Sequence, residues 1–273
     1  MHILKDGEEI AEKIKDLKEV KAIAFYGSIG MGFNDKLSDI DLVAYVDKIP
    51  SKKDIMKKLE GIEKIQIIPN DMIVFYYKDM DCIINFETIK HLEKKIGNLK
   101  EGKGLDHRIA MYIQNVRPIY GEELIKDLKK EVRKYPKEIL KKELVPVRGV
   151  TTFFEGIDKT LKRNKILWID LQFHQCLERI IKAVYALNKR YYPGNAKWAI
   201  REIKNFKKVP KNFTKDIDKF VKLNSIKDFN RKLGLLEKVL LNLGEMLNKE
   251  ERKLVKLKPK KWYDKKRSTV SFI

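Results

Sequence analysis

Cysteine is nearly absent: Cys82 and Cys176 are the only two in 273 residues, and they lie far apart in the chain. That excludes a disulfide framework and fits a reducing compartment. Histidine is as scarce, with four in the chain, and none stands at a His-x-x-x-His spacing. No zinc site is indicated, and no Ser-His-Asp set emerges. No apolar run approaches the roughly 20 residues that cross a bilayer. Residues 1–20 are charged from the start and have no signal-peptide core, so the expectation is a cytoplasmic protein without a membrane partner. The glycines of residues 27–32 are not followed by Gly-Lys-Ser/Thr, which excludes a Walker loop. No internal repeat is present. Acidic residues are also in deficit: 39 Asp+Glu stand against 60 Lys+Arg, a formal net charge of +21.

What is present describes a globular chain. Hydrophobic residues make up 43% and charged residues 36%, enough apolar content for a packed core. The length fits one large domain or two ordinary ones. The basic excess has two readings. One is a polyanionic partner such as tRNA or another RNA; the other is a thermophile-like composition rich in Lys, Ile and Glu. Oligomeric state has no signature in the sequence.

Periodicity divides the chain into an α/β half and a helical half. Residues 6–20 have Ile10, Ile14 and Leu17 at helical spacing. Residues 21–26 and 40–46 read as buried strands around a glycine loop. Ser51 is placed to cap a helix reaching about residue 61. Three strand-like runs follow at 64–68, 72–77 and 81–86, separated by the turn residues Pro69, Asn70 and Asp71 and by residues 78–80. A helix over 88–99, a loop at "EGKGLDHR" and a helix from 109, interrupted at "RPIYG", complete this half. From about residue 136 the pattern is helical throughout. "ILWIDLQFHQCLERIIKAVYALNKRYY" reads as one long helix ended by "PGNAKW", with Leu171, Cys176, Ile180, Val184 and Leu187 as its apolar stripe. The expected fold class is α+β: a mixed sheet flanked by helices over 1–120, an all-helical domain over 121–255, and a basic tail over 256–273.

The chemistry gathers in "FYGSIGMGFNDKLSDIDLVAYV", residues 25–46. Strand alternation puts Asp39, Asp41, Val43 and Tyr45 on one face, with the two carboxylates about 7 Å apart along the strand. Like charges held so close need a countercharge, and a divalent cation such as Mg²⁺ supplies it together with substrate phosphates. The glycine turn at Gly27, with the hydroxyl of Ser28, lets backbone N–H groups approach phosphate oxygens. A third carboxylate is expected on a neighbouring strand. In "DCIINFE", alternation puts Asp81, Ile83, Asn85 and Glu87 on one face. Asp81 is the metal-ligand candidate, Asp79 the alternative if the turn is displaced by two, and Glu87 a possible general base.

With its Gly-Ser and Asp-x-Asp elements, this segment resembles the signature of the polymerase-beta-type nucleotidyltransferase superfamily. "RPIYGEE" and "ALNKRYYPGNAKW" are similar to segments of small bacterial and archaeal nucleotidyltransferases of the antibiotic-adenylyltransferase kind. The resemblance implies two Mg²⁺ ions held by Asp39, Asp41 and Asp81. It also implies a nucleoside triphosphate held through Gly27, Ser28 and Ser38, and transfer of a nucleoside monophosphate, most simply AMP from ATP, with release of pyrophosphate. It further suggests Lys197 as a neutraliser of triphosphate charge and Tyr191 or Tyr192 as a surface for base stacking. The acceptor stays open: a small molecule, an RNA or a protein hydroxyl. So does a non-catalytic nucleotide- or RNA-binding module on the same fold.

Overall fold

The structure is a computed structural model and describes residues 2–68, 71–103, 107–194 and 196–258. The expected turn residues Pro69 and Asn70, residues 104–106 of the "EGKGLDHR" loop, Asn195 of "PGNAKW" and residues 259–273 of the basic tail lie outside the described residues. The chain forms two compact units that divide between Lys134 and Tyr135.

In the N-terminal unit, six strands form one mixed sheet in the order β3-β4-β5-β2-β1-β6. They are β1 (Val20–Phe25), β2 (Ile40–Val46), β3 (Glu63–Ile68), β4 (Met72–Tyr77), β5 (Met80–Thr88) and β6 (Arg117–Tyr120). Neighbouring strands are antiparallel except β2 and β5, which run parallel. One face is fully apolar: Ile40, Leu42, Ala44 and Val46 of β2 and Cys82, Ile84 and Phe86 of β5 are buried. They share a core with Ile10 and Ile14 of α1 (Ile3–Ile14) and Ile55 of α3 (Lys52–Lys58). Full burial of each Ile, Leu, Val or Phe among them stabilises by about 1.5–3 kcal/mol. Helix α1 runs so close over β1 that a Cβ on Gly7 would stand 2.2 Å from the Phe25 ring.

Several expectations need correction. Helix α1 ends at Ile14 instead of near 20, because Val20 is drawn into β1 by pairing with Val46. "RPIYG" is more than a helix interruption: its first four residues are β6, paired antiparallel with β1. Pro118 is tolerated there because β6 is an edge strand, where a missing N–H breaks no ladder. The strand and the following α6 (Glu122–Glu131) belong with the sheet, so the boundary falls after 134 and not at 120. Ser51 does cap α3, accepting from the Asp54 N–H at 3.1 Å.

The C-terminal unit is helical: α7 (Lys137–Leu144), α8 (Arg148–Lys162), α9 (Ile166–Leu187), α10 (Ala199–Ile203), α11 (Phe213–Lys222), α12 (Phe229–Met246) and α13 (Lys249–Val255). Its core includes Phe153, Phe173, Phe220 and Phe229. Helix α9 stops five residues before the expected end at Tyr192, because Asn188 turns its amide to the Val184 and Lys208 carbonyls. Of its expected stripe, Cys176, Ile180, Val184 and Leu187 are buried, while Leu171 is half exposed. No helix among the described residues is long and apolar enough to cross a membrane.

Candidate active site

The site is built where β1 hands over to β2. Tyr26 closes β1 by donating its N–H to the Asp41 carbonyl at 3.0 Å. Gly27 then adopts φ +58 and opens the short helix α2 (Gly27–Gly30). A Cβ at Gly27 would stand 2.1 Å from the Asp41 carboxylate oxygen, so only glycine lets that carboxylate lie against the turn. Ser28 is half-buried in α2. The loop leading to β2 is closed by its own side chains. Asp35 donates its N–H to the Ser38 hydroxyl at 2.9 Å, and the Asp35 carboxylate accepts from the Leu37 N–H at 2.9 Å. Ser38 therefore shapes the approach to Asp39.

The parallel register between β2 and β5 does the gathering. Ile40 stands beside Cys82 and Asp41 beside Ile83. Alternation then places Asp81 on the Asp41 face, and one further step back sets position 39 beside position 81. Asp39 and Asp81 are exposed and Asp41 is half-buried. Cys82, beside Ile40, is buried on the opposite face. Burial, then the charges of Asp81, Asp39, Asp6 and Asp41, push its thiol up to about 12. Asp79 is in the two-residue turn joining β4 to β5, at φ +65. Lys78, beside it in that turn, bonds the carboxylates of Asp6 and Glu9.

Three aspartates are hard oxygen donors of the kind magnesium takes, and the Gly27 turn brings backbone N–H groups beside Asp41, so the residues suit a metal–triphosphate group in kind. Among the described residues, however, no three acidic, histidine or cysteine side chains are drawn together as a ready metal cluster. The carboxylates share one end of one face without closing on a common point.

Other expected residues lie elsewhere. Glu87 stands beside Tyr45, six positions along β5 from Asp81 and so about 20 Å away by strand geometry. Its carboxylate is met by His91 at 3.3 Å and Lys95 at 3.5 Å. The register does not bring it to the aspartates. Lys197 is an exposed residue of the C-terminal unit, its ammonium 5.5 Å from the Trp198 ring centre. Tyr191 and Tyr192 are buried at 1% and 5% exposure, packed on Tyr135 and Tyr185, which removes them as stacking surfaces for a base.

Sequence reasoning did not find the cavity on the same face. It measures about 220 Å³, and its lining includes Tyr26, Tyr45, Asn85, Glu87, Arg108 and Tyr112. Asn85 donates from its amide to the Tyr26 hydroxyl. The alternation of β5 already put Asn85 and Glu87 on the Asp81 face; the helices α4 (Ile89–Lys100) and α5 (Arg108–Asn115), which complete the enclosure, had no signal of that placement.

Comparison with known proteins finds family matches over two parts of the chain. The family described as "Polymerase beta, Nucleotidyltransferase" matches residues 8–96, which include Gly27, Ser28, Asp39, Asp41 and Asp81. Residues 8–96 of the chain are thus similar to a polymerase-beta-type nucleotidyltransferase domain. Residues 106–199 match a "Domain of unknown function (DUF4037)". No curated protein matches the chain. Among solved structures, a nucleotidyltransferase-like protein from Exiguobacterium sibiricum 255-15 is similar with a TM-score of 0.42 and 11% identity, over 91% of this chain and 79% of that one. A STING-associated CdnE c-di-GMP synthase from Capnocytophaga granulosa has a TM-score of 0.30 and 15% identity, over 89% and 80%. The Bacillus stearothermophilus CCA-adding enzyme in complex with CTP has 0.29 and 12%, over 98% and 82%. At these scores none of the three speaks to what this chain binds.

Proposed function

We propose that the protein is a Mg²⁺-dependent nucleotidyltransferase that moves a nucleoside monophosphate, AMP from ATP, onto an acceptor hydroxyl. The supporting observation is the parallel β2–β5 register, which puts Asp41 and Asp81 on one face at one strand end, with Gly27 pressed against Asp41. Asp39, Asp41 and Asp81 are the residues to hold magnesium, which when bound lowers the pKa of the acceptor hydroxyl and neutralises triphosphate charge. Gly27 and Ser28 offer backbone and hydroxyl donors to the phosphates. In the transfer, the acceptor oxygen bonds to the α-phosphorus. The bond from that phosphorus to the α,β-bridging oxygen breaks, and pyrophosphate leaves with its electron pair. The acceptor proton passes to the Asp81 carboxylate and on to solvent.

The test is pyrophosphate release from each nucleoside triphosphate with Mg²⁺, with and without pooled RNA, small alcohols or protein. Release that disappears in Asp39→Asn and Asp41→Asn is expected. Release that survives both substitutions removes this reading. Triphosphate binding with no release for any acceptor pool leaves a binding module instead.

A second acceptor reading is favoured by the net charge of +21, which suits RNA. Steep loss of RNA affinity between about 50 and 200 mM salt is its signature.

A further inference from the structure

The cavity on the β2–β5 face has no part in holding the triphosphate as described above. We infer that it is the acceptor subsite, and that it takes a single nucleoside, neutral or phosphorylated, and not a polycation. The inference rests on the nucleotidyl-transfer reading for the word acceptor; the binding itself does not.

Position comes first. The lining includes Tyr26, which directly precedes Gly27, and Val43, the next residue after Asp41 on the same strand face. Tyr26 donates its backbone N–H to the Asp41 carbonyl at 3.0 Å, so the near wall adjoins the residue that carries that carboxylate. Farther in, Asn85 and Glu87 come from β5, the strand that carries Asp81. A ligand held here can direct a hydroxyl toward the aspartates without entering the Gly27–Ser28 turn.

Size comes second. About 220 Å³ is below the roughly 300–1,000 Å³ of pockets that bury drug-sized ligands. It suits one nucleoside and excludes a duplex or a folded protein loop.

The walls then select the chemistry. Tyr26 and Tyr112 meet edge to face with ring centres 5.6 Å apart, and Tyr45 adds a third ring. Aromatic walls favour a flat base, since every base has a π-face to stack. Asn85 brings an amide that both donates and accepts, held in orientation by its bond to the Tyr26 hydroxyl. Such an amide suits a base edge that presents a donor and an acceptor. The charges decide against a polyamine. Glu87 is already met by His91 and Lys95, and the lining adds Arg108, so the lining carries two basic side chains, Lys95 and Arg108, to one carboxylate. A phosphate is welcome there and an aminoglycoside is not.

The test is calorimetric titration of the full chain with AMP in EDTA. The comparison ligands are ribose 5-phosphate, kanamycin and an RNA tetranucleotide with a free 3′-hydroxyl. The expected result is AMP binding that falls about tenfold or more in Tyr112→Leu and in Asn85→Ala. Ribose 5-phosphate should bind more weakly and kanamycin not at all. Arg108→Ala, at an exposed position, should narrow the gap between AMP and adenosine even where the cavity variants fold poorly. Tighter, Tyr112-dependent binding of the tetranucleotide identifies the nucleoside as an RNA end; AMP alone identifies a free nucleotide.

AMP binding indifferent to Tyr112, Asn85 and Arg108 overturns the inference. So does competition between AMP and a non-hydrolysable ATP analogue in Mg²⁺, which would make the cavity the donor's own base pocket. The two proposals fail separately. Tyr112-dependent AMP binding without any pyrophosphate release keeps the nucleoside site and removes transfer. Asp41-dependent release whose acceptor KM ignores Tyr112 and Asn85 keeps transfer and removes the site.

Discussion

The two ends of the β2–β5 face hold carboxylates in opposite surroundings. Glu87 at one end has His91 and Lys95 within ion-pair distance. At the other end, about 20 Å away, neither Asp39 nor Asp81 has a cation at that distance among the described residues, although the chain has 60 Lys+Arg. The neighbouring Asp6, almost fully buried, does have one in Lys78. Where a carboxylate serves the fold, this protein supplies its countercharge from within. At the other end two exposed carboxylates, Asp39 and Asp81, flank the half-buried Asp41.

The sharpest way to break this comparison is to neutralise one carboxylate at each end. Asp41→Asn is expected to lower pyrophosphate release by about 10³-fold or more, with a melting temperature equal to or above the parent's, because like charge is relieved. Glu87→Gln is expected to cost less than about tenfold, confined to the acceptor KM, since that carboxylate is already compensated and remote. Equal losses at the two ends would erase the distinction.

Metal removal separates the ends without mutation. EDTA is expected to weaken ATP binding by about tenfold or more, while AMP affinity at the cavity end is retained; calorimetry reads both. Gly27→Ala tests the close approach at the aspartate end. It forces an alanine to a positive φ and pushes a Cβ into the Asp41 carboxylate. Loss of about 1–3 kcal/mol in urea unfolding is expected, together with reduced pyrophosphate release.

The smallest effect belongs to Lys78→Ala, which removes the cation paired with Asp6 and Glu9. A modest fall in the urea midpoint is expected. Hydrogen bonds to Asp6 and then Glu9 raise the Lys78 pKa above the ordinary lysine value. Its contribution is therefore fully present below about 10.5 and is lost only as pH rises through the higher folded value. The midpoint difference between parent and variant should be flat from neutral pH to mildly alkaline pH and shrink only beyond that.

Much of the site was legible because it depends on local rules. Residues 40–46 show their alternation in the sequence, and the strand has those bounds. Ser51 with Asp54 three residues on marks a helix start. Asp81 and Asn85 share a face by alternation alone. The elements that were not legible depend on distant partners. Four residues with a proline at their centre have no strand periodicity, and "RPIY" becomes β6 only because β1 has an open edge for it. Tyr191 and Tyr192 follow a helix as if exposed, but Tyr135 and Tyr185 cover them.

By itself the sequence determined which groups are available: carboxylates at alternating positions, a glycine where a left-handed turn is needed, a stripe of core residues on each main helix. Such features repeat every two or 3.6 residues and need no distant information. Only the tertiary structure decided which of them meet. The parallel register of β2 against β5 placed Asp81 beside the Asp39 position and Glu87 far from both, and α4 and α5 turned the remaining face into a cavity. Register and enclosure are set by burial of the opposite, apolar face against α1 and α3, a requirement of the whole core that no short window of sequence contains.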